Sequence, residues 1–309
     1  NKAFETGFNQ LFDQIYKIKS NLLVHYESLT SNEKIVHNQE LELWKKRREK
    51  LVKQVDISKT IDILSSKVDI KKSEALKKIL TNYNSVFSRS SHDAGMSKTF
   101  VVELKLKEDA SSEPFFTPPY KLNHQITSQI EDKISDMIYG GILEKTSSPY
   151  NSPVMGVLKK DKSVRLVNNY ATKNGLNSRL LESRFPVVSM RLLFGQISQY
   201  IAKLKAEKPI EKIIFSSIDI RNGFYSLSIS QNSRDLTSFI IGSRQVRYKR
   251  LAQGMSISPS EFSRYVSETF LSNYDKNQSF KIFVFIDDIA IISSESDHIN
   301  ALENIFKTC

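Results

Sequence analysis

The stretch Lys281-Ile-Phe-Val-Phe-Ile-Asp-Asp-Ile-Ala-Ile-Ile-Ser293 decides how this chain is read. Apolar residues, mostly Ile, Phe and Val, flank the pair Asp287-Asp288 on both sides. Such a run predicts two short strands meeting at a tight turn, with two carboxylates at its tip. Adjacent like charges beside apolar strands repel each other and resist desolvation. A divalent cation relieves both costs, and hard carboxylate oxygens suit Mg²⁺ or Mn²⁺. The plain alternative is a charged turn left in water.

A third carboxylate, Asp219, closes the apolar run Ile213 to Ile220 and precedes Asp287 by 68 residues. That run predicts a buried central strand. An acid at its tip is placed to converge with the hairpin on one metal site; the alternative is a strand-end cap. Between them, Tyr225, Leu227 and Ile229 alternate with Ser226 and Ser228. A hairpin is predicted from Leu236 to Leu251 around Gly242-Ser243. Ser258-Pro259-Ser260-Glu261 has the order of a helix start: cap, proline, then an acid. Phe262, Tyr265, Val266 and Phe270 give that helix an apolar face, and a last helix begins near Asp297. A mixed sheet with helices on one side is the expected architecture for this half.

Upstream, Phe4, Phe8, Leu11, Phe12, Ile15 and Leu22 follow helical spacing. Thr30 with Glu33 forms a capping box for a second helix around Leu41 to Val55, and a third is predicted from Ser73 to Phe87. The run Lys45-Lys-Arg-Arg-Glu-Lys50 reads first as a solvated helix face and second as a nucleic-acid contact. Val102, Leu104 and Leu106 alternate with charged residues, as in a half-buried strand. Asn123 is placed to cap a helix carrying Ile126, Ile130, Ile134, Met137 and Ile138, stopped by Gly140-Gly141. Val154–Lys159 and Val164–Asn168 read as a hairpin turning at Asp161-Lys162. Another amphipathic helix is predicted from Ser189 to Leu204.

Composition narrows the class. Among 309 residues, 45 Lys and Arg outnumber 34 Asp and Glu, a formal charge of +11. Cations spread along the whole chain favour a positively lined groove, with nucleic acid as the first polyanionic partner and an anionic membrane surface as the second. No apolar stretch reaches the roughly 18 residues of a membrane span; with nucleic acid the first choice, no membrane partner is expected. The single cysteine, Cys309, excludes an internal disulfide and fits a reducing compartment. The chain begins with Asn1 and without a signal-peptide pattern, and reads as a fragment of something longer.

Three segments now carry a resemblance: Ser217-Ile-Asp-Ile-Arg-Asn-Gly-Phe-Tyr-Ser-Leu227, Leu251-Ala-Gln-Gly-Met-Ser-Ile-Ser-Pro-Ser-Glu-Phe262 and Phe285-Ile-Asp-Asp288. In this order they resemble the central motifs of reverse transcriptases. Ser148-Pro-Tyr-Asn-Ser-Pro153 and Leu158-Lys-Lys-Asp-Lys-Ser-Val-Arg165 are similar to the fingers motifs of the same family. The polymerases of retroviruses and of gypsy-class LTR retrotransposons are the nearest in pattern, from about Phe100 onward. The resemblance implies that Asp219, Asp287 and Asp288 hold two Mg²⁺ ions (Mn²⁺ as a substitute), with the Ile220 carbonyl completing the nucleotide metal. It implies that Phe224 underlies the sugar and that Gln253 and Gly254 line the nucleotide pocket. Arg165 and one of Lys159 and Lys160 would take the triphosphate. Phe224 as a mere core aromatic, and each cation as a solvated charge, are the bland readings. The chain departs from the pattern at several positions. Phe285 replaces a usual Tyr, Val164 an aromatic, and Asn169-Tyr170-Ala171 the usual Asp-Tyr-Arg. Gln253 stands where the gypsy class often has an aromatic.

The fold class implied is α+β: a helical N-terminal spacer (1–97), right-hand polymerase fingers (98–210) and a truncated palm (211–309) without a thumb. The expected activity is RNA-directed DNA synthesis from dNTPs on RNA and DNA template-primers, within a retroelement polyprotein. Its expected setting is intracellular, in cytoplasmic virus-like particles and the nucleus. A catalytically silent, nucleic-acid-binding or structural relic is the alternative. An RNA-dependent RNA polymerase is disfavoured by the bulk of Phe224.

Overall fold

The computed structural model describes residues 23–65, 70–90, 93–110, 113–160, 163–183, 185, 189–271 and 279–308. The predicted first helix, Phe4 to Leu22, and the turn Asp161-Lys162 lie outside them. The helical pattern expected across the N-terminal region gives way at β1 (Leu23–His25), which pairs with Phe100–Val102. Ladder bonding to a partner distant in sequence overrides local periodicity there.

α1 (Ser31–Gln54) starts at the expected capping box. The Thr30 N–H donates to Glu33 Oε2 at 3.0 Å, and the Glu33 N–H returns to Thr30 Oγ1 at 3.4 Å. α2 (Ser58–Ser65) follows a turn in which the Asp56 carboxylate accepts from the Ser58 N–H at 2.8 Å. α3 (Ile70–Asn82) ends before the predicted Phe87. β2 (Phe100–Val102) is shorter than the alternating pattern suggested. All three of its side chains are buried, because β2 is the middle strand of its sheet. Leu106 makes only an isolated bridge to Leu180.

α4 (His124–Tyr139) is capped by Asn123, whose side chain accepts from the Gln125 N–H. β3 (Leu143–Lys145) leads to the hairpin of β4 (Val154–Leu158) and β5 (Val164–Asn168), then α5 (Leu176–Arg179). α6 (Met190–Glu207) is capped by Ser189, β6 (Ile213–Asp219) follows, and β7 is only Ser228–Ile229. β8 (Phe239–Ile241) and β9 (Arg244–Tyr248) form the second expected hairpin. α7 (Ser258–Val266) begins where its signal lies, and the Ser258 hydroxyl donates to the Ala252 carbonyl at 2.6 Å. β10 (Phe280–Phe285), β11 (Asp288–Ser294) and α8 (His298–Thr308) complete the order.

These elements form two compact units. One comprises Asn1–Trp44, Gly95–Pro186 and Gly223–Phe262; the other Lys45–Ala94, Val187–Asn222 and Ser263–Cys309. The first holds the sheet β1-β2-β7, whose β2–β7 pair is parallel, the sheet β3-β9-β8 and the hairpin β4-β5. Its core includes Ile130, Ile134 and Met137 of α4 with Leu143, Phe239 and Val246.

The second unit is built on the sheet β10-β11-β6, antiparallel throughout. Three sequence expectations are corrected here. β6 is not central: among the described strands it pairs only with β11. With one neighbour it is not buried either, and Phe215, Ser217 and Asp219 are exposed on one face. The sheet is not mixed, and helices cover both its faces. Leu193 and Leu204 of α6 pack on Phe283 and Ile292. α8 lies on the opposite face, where His298 Nε2 meets Ser216 Oγ at 2.7 Å and His298 Nδ1 meets Ser293 Oγ at 2.8 Å. The physical reason is β11 itself. Ile289, Ile291 and Ile292 are all buried, so alternate residues on both faces need cover. Among the described residues no helix is long and apolar enough to cross a membrane.

Candidate active site

Strand register places the carboxylates. β11 runs antiparallel to β6 with Asp288 directly opposite Asp219. Directly opposed residues point to the same face with Cβ atoms about 4.5–5.5 Å apart, where like charges are unfavourable. Both side chains are exposed. Asp287 sits in the two-residue turn before Asp288, and its carbonyl accepts from the Ile220 N–H at 3.1 Å. The hairpin tip is thereby tied to the residue that follows Asp219.

The turn itself is strained. Ile286 has φ +57°, a region that a β-branched residue rarely enters. Positive φ at the first turn position alone is the pattern of a type II′ hairpin, which normally takes Gly there. Ile286→Gly should relieve roughly 1–2 kcal/mol of left-handed strain and lose roughly 0.5–1 kcal/mol to glycine's chain entropy. Chemical denaturation should therefore show a gain of about 0.5–1 kcal/mol. A loss would mean that the half-buried Ile286 side chain outweighs the strain.

Among the described residues, no group of three or more His, Cys, Asp or Glu side chains is drawn together tightly enough to hold a metal ion. The backbone brings Asp219 and Asp288 together across the ladder, with Asp287 in the adjoining turn. The donor set itself is all carboxylate oxygen, with two members opposed across a ladder, and this matches the preference of Mg²⁺ and Mn²⁺.

The predicted nucleotide-binding residues belong to the other unit. Phe224 lies in a short 3₁₀ turn, Gly223–Ser226, and is half-buried. Its ring meets Phe262 edge-on, with centroids 5.3 Å apart. Phe262 is 0% exposed. A Cβ on Gly223 would stand 2.4 Å from Phe262 Cζ, so only glycine lets the turn rest on that ring. Gln253 and Gly254 are adjacent to a further anchor. Gly254 has φ +94°, and a Cβ there would press on the Asn168 carbonyl at 3.1 Å. The Asn177 side-chain amide donates to the Gly254 carbonyl at 3.0 Å, and its oxygen accepts from the Ser256 N–H at 2.9 Å.

Arg165 reaches this loop directly, donating to Gln253 Oε1 at 3.2 Å. Arg165 pairs across the hairpin with Val157, and Lys159, two residues on from Val157, shares that face by strand alternation; Lys160 does not. Lys133 of α4 joins them. Its Nζ donates to the Val164 carbonyl at 3.4 Å, and burial, then the charges of Lys159 and Arg165, lower its pKa. Lys133, Asn177 and Phe262 were invisible as site residues in the sequence. Each acts through a contact at long sequence separation, and no local spacing announces it.

The family described as "Reverse transcriptase (RNA-dependent DNA polymerase)" matches residues 157–309. Among curated proteins, the retrovirus-related Pol polyprotein of transposon 412 from Drosophila melanogaster is 29% identical over 241 residues, 76% of this chain and 18% of its own length. That of transposon 297, from the same fly, is 24% identical over 306 residues, 96% of this chain and 26% of its own length. Of solved structures, a foamy viral protease–reverse transcriptase in complex with RNA/DNA hybrid aligns with a TM-score of 0.62 at 21% identity, covering 85% of this chain and 31% of that one. The mixed helix-and-sheet fold is therefore reverse-transcriptase-like. Residues 157–309 match that reverse transcriptase family, and the chain is similar to the Pol polyproteins of retroelements. It spans about a fifth to a quarter of the length of the two curated relatives named here.

Proposed function

We propose that this chain carries the fingers and palm of an RNA-directed DNA polymerase, which extends a primer on RNA or DNA with dNTPs. The observation that carries the reading is the register of β11 on β6, which sets Asp288 opposite Asp219 beside a turn holding Asp287. Opposed carboxylates on rigid strand ends are what two-metal nucleotidyl transfer requires. Bound Mg²⁺ ions would supply Lewis acidity at the primer 3′-oxygen and at the phosphate being transferred. Asp219, Asp287 and Asp288, with the Ile220 carbonyl, would hold them. The primer 3′-oxygen bonds to the α-phosphorus as the bond to the departing pyrophosphate breaks. Arg165, Lys159 and Lys133 bind the triphosphate charge, the Arg165 guanidinium in a forked contact. Gln253 and Gly254 shape the pocket, and Phe224 excludes a 2′-hydroxyl.

The foamy viral structures were solved with RNA/DNA hybrid and with double-stranded DNA, and we take the same classes of nucleic acid as partners here. An intracellular setting, in particles and the nucleus, goes with this reading.

Primer extension with Mg²⁺ and the four dNTPs tests it, with incorporation expected on both template types. Phe224→Val should lower the preference for dNTPs over rNTPs about tenfold or more, judged from the worth of one pocket contact. Unchanged sugar discrimination would make Phe224 a core residue only. A second reading, a silent nucleic-acid-binding relic, is favoured by the departures of Val164 and Asn169-Tyr170-Ala171 from the fingers pattern. It predicts salt-sensitive nucleic-acid binding with no Mg²⁺-dependent dNTP binding.

A further inference from the structure

We propose that the exposed cationic face of α1, formed by Lys46, Arg47, Lys50 and Lys53, is a contact surface for the phosphate backbone of nucleic acid. The inference rests on the polymerase reading for its partner class, and it adds a surface outside the carboxylates and the pocket.

All four side chains are exposed. At 3.6 residues per turn, Lys46, Lys50 and Lys53 fall within a sector of roughly 60°, with Arg47 about 60° beyond one edge and Glu49 about 40° beyond the other. They span about 10.5 Å of helix axis, the axial spacing of about three successive phosphates on one strand. Like charges at i, i+3 and i+4 destabilise a helix. Glu49 is the one acid between positions 45 and 53. None of the four cations has an ion-pair partner among the described residues.

Two simpler accounts fall short. Attraction to the helix C-terminus acts only within the last turn; it reaches Lys53 but not Lys46 or Arg47. A helix that inserts into a membrane interface needs a band of exposed apolar side chains. The large exposed apolar residues of α1 are Ile35 and Leu43, both N-terminal to the stripe.

The stripe is also held in place. Arg48 points to the other side of the helix, where it pairs with Asp93. It donates to the Ser85 carbonyl at 2.6 Å and to the Phe87 carbonyl at 2.7 Å. These bonds fix the rotation of α1, so the four cations face solvent as a set and bind without the cost of ordering the helix.

The test measures binding to a primer–template duplex without nucleotide, across a KCl series. The variant is Lys46→Gln, Arg47→Gln, Lys50→Gln and Lys53→Gln combined. The control removes four exposed cations elsewhere: Lys203→Gln, Lys205→Gln, Lys212→Gln and Lys307→Gln. Each lost phosphate contact lowers the slope of log K against log[salt] by about 0.9. The stripe variant should lose about 3–4 units of slope and bind about 10–100-fold more weakly near 0.1 M salt, while the control changes little. Equal losses in both variants, or an unchanged slope, would overturn the proposal. So would loss of binding to vesicles containing anionic lipid with duplex binding retained. Primer extension, measured separately, keeps the two readings apart. A wild type that extends primers while the stripe variant keeps its slope defeats the surface alone. A wild type that cannot extend primers yet shows stripe-dependent binding defeats the polymerase reading alone.

Discussion

Asp219→Asn and Asp287→Asn are each expected to abolish primer extension, by roughly 10³-fold or more, while leaving the fold intact. Charge stabilisation by bound metal is worth several kcal/mol, and each 1.36 kcal/mol is a factor of ten in rate. Asn keeps the shape of Asp and removes the charge that would hold the ions. Stability should move the other way. Asp219 and Asp288 are directly opposed in the ladder. Removing one charge relieves a repulsion of about 0.2–1 kcal/mol. Without divalent ions, Asp219→Asn should therefore unfold at the same temperature as the wild type or slightly higher. Adding Mg²⁺ should raise the wild-type midpoint by mass action and leave the variant's unmoved. Substantial extension activity in both variants would defeat the assignment of these residues. A variant unfolded without metal would leave the loss of activity explained by structure alone.

Glu40→Ala is expected to cost about 3–5 kcal/mol of stability, because it strands buried positive charge. Arg234 is 5% exposed and Glu40 12%, and the two are bonded in a fork, Nη1 to Oε1 and Nη2 to Oε2, each at 2.9 Å. Lys249 Nζ stands 2.8 Å from the same carboxylate. Glu144, 3.5 Å from Arg234, gives partial compensation in the variant and puts the loss toward the lower figure. By contrast, disrupting the exposed pair Lys77–Asp62 should cost under about 1 kcal/mol. The pH dependence provides an independent check. Burial pushes the Glu40 carboxyl up, but Arg234 and then Lys249 outweigh it and hold it below the usual range. A depressed folded-state pKa gives stability that is present above the ordinary glutamate value and fades as pH falls through the folded-state value. The wild type should lose stability below about pH 4.5 more steeply than Glu40→Ala, whose alanine has nothing to titrate. Parallel stability curves in acid would show that Glu40 is not the charged partner of Arg234.

The importance of Glu40 shows where reading residues in order fails. In the sequence it is one acid in a polar helix, 194 positions from Arg234. The capping box at Thr30 and Glu33, the Asn123 cap and the two hairpins at Gly242 and before Val164 were legible, because each is a bond or a turn between near neighbours. The strand β1 was not. Its three residues are extended because Phe100–Val102 lies beside them, and nothing local demands it.

Order along the chain was enough to name the family motifs, to put two carboxylates on a hairpin tip and a third at a strand end, and to anticipate a cationic protein. Those features depend on residue identity and short spacing, which the primary structure carries whole. Pairing decided the rest. That Asp288 opposes Asp219, that β6 has β11 as its one partner among the described strands, that Phe262 supports Phe224 and that Lys133 joins Arg165 all follow from which distant segments meet. Burial of side chains from many segments at once selects those meetings, and no window on the sequence contains them.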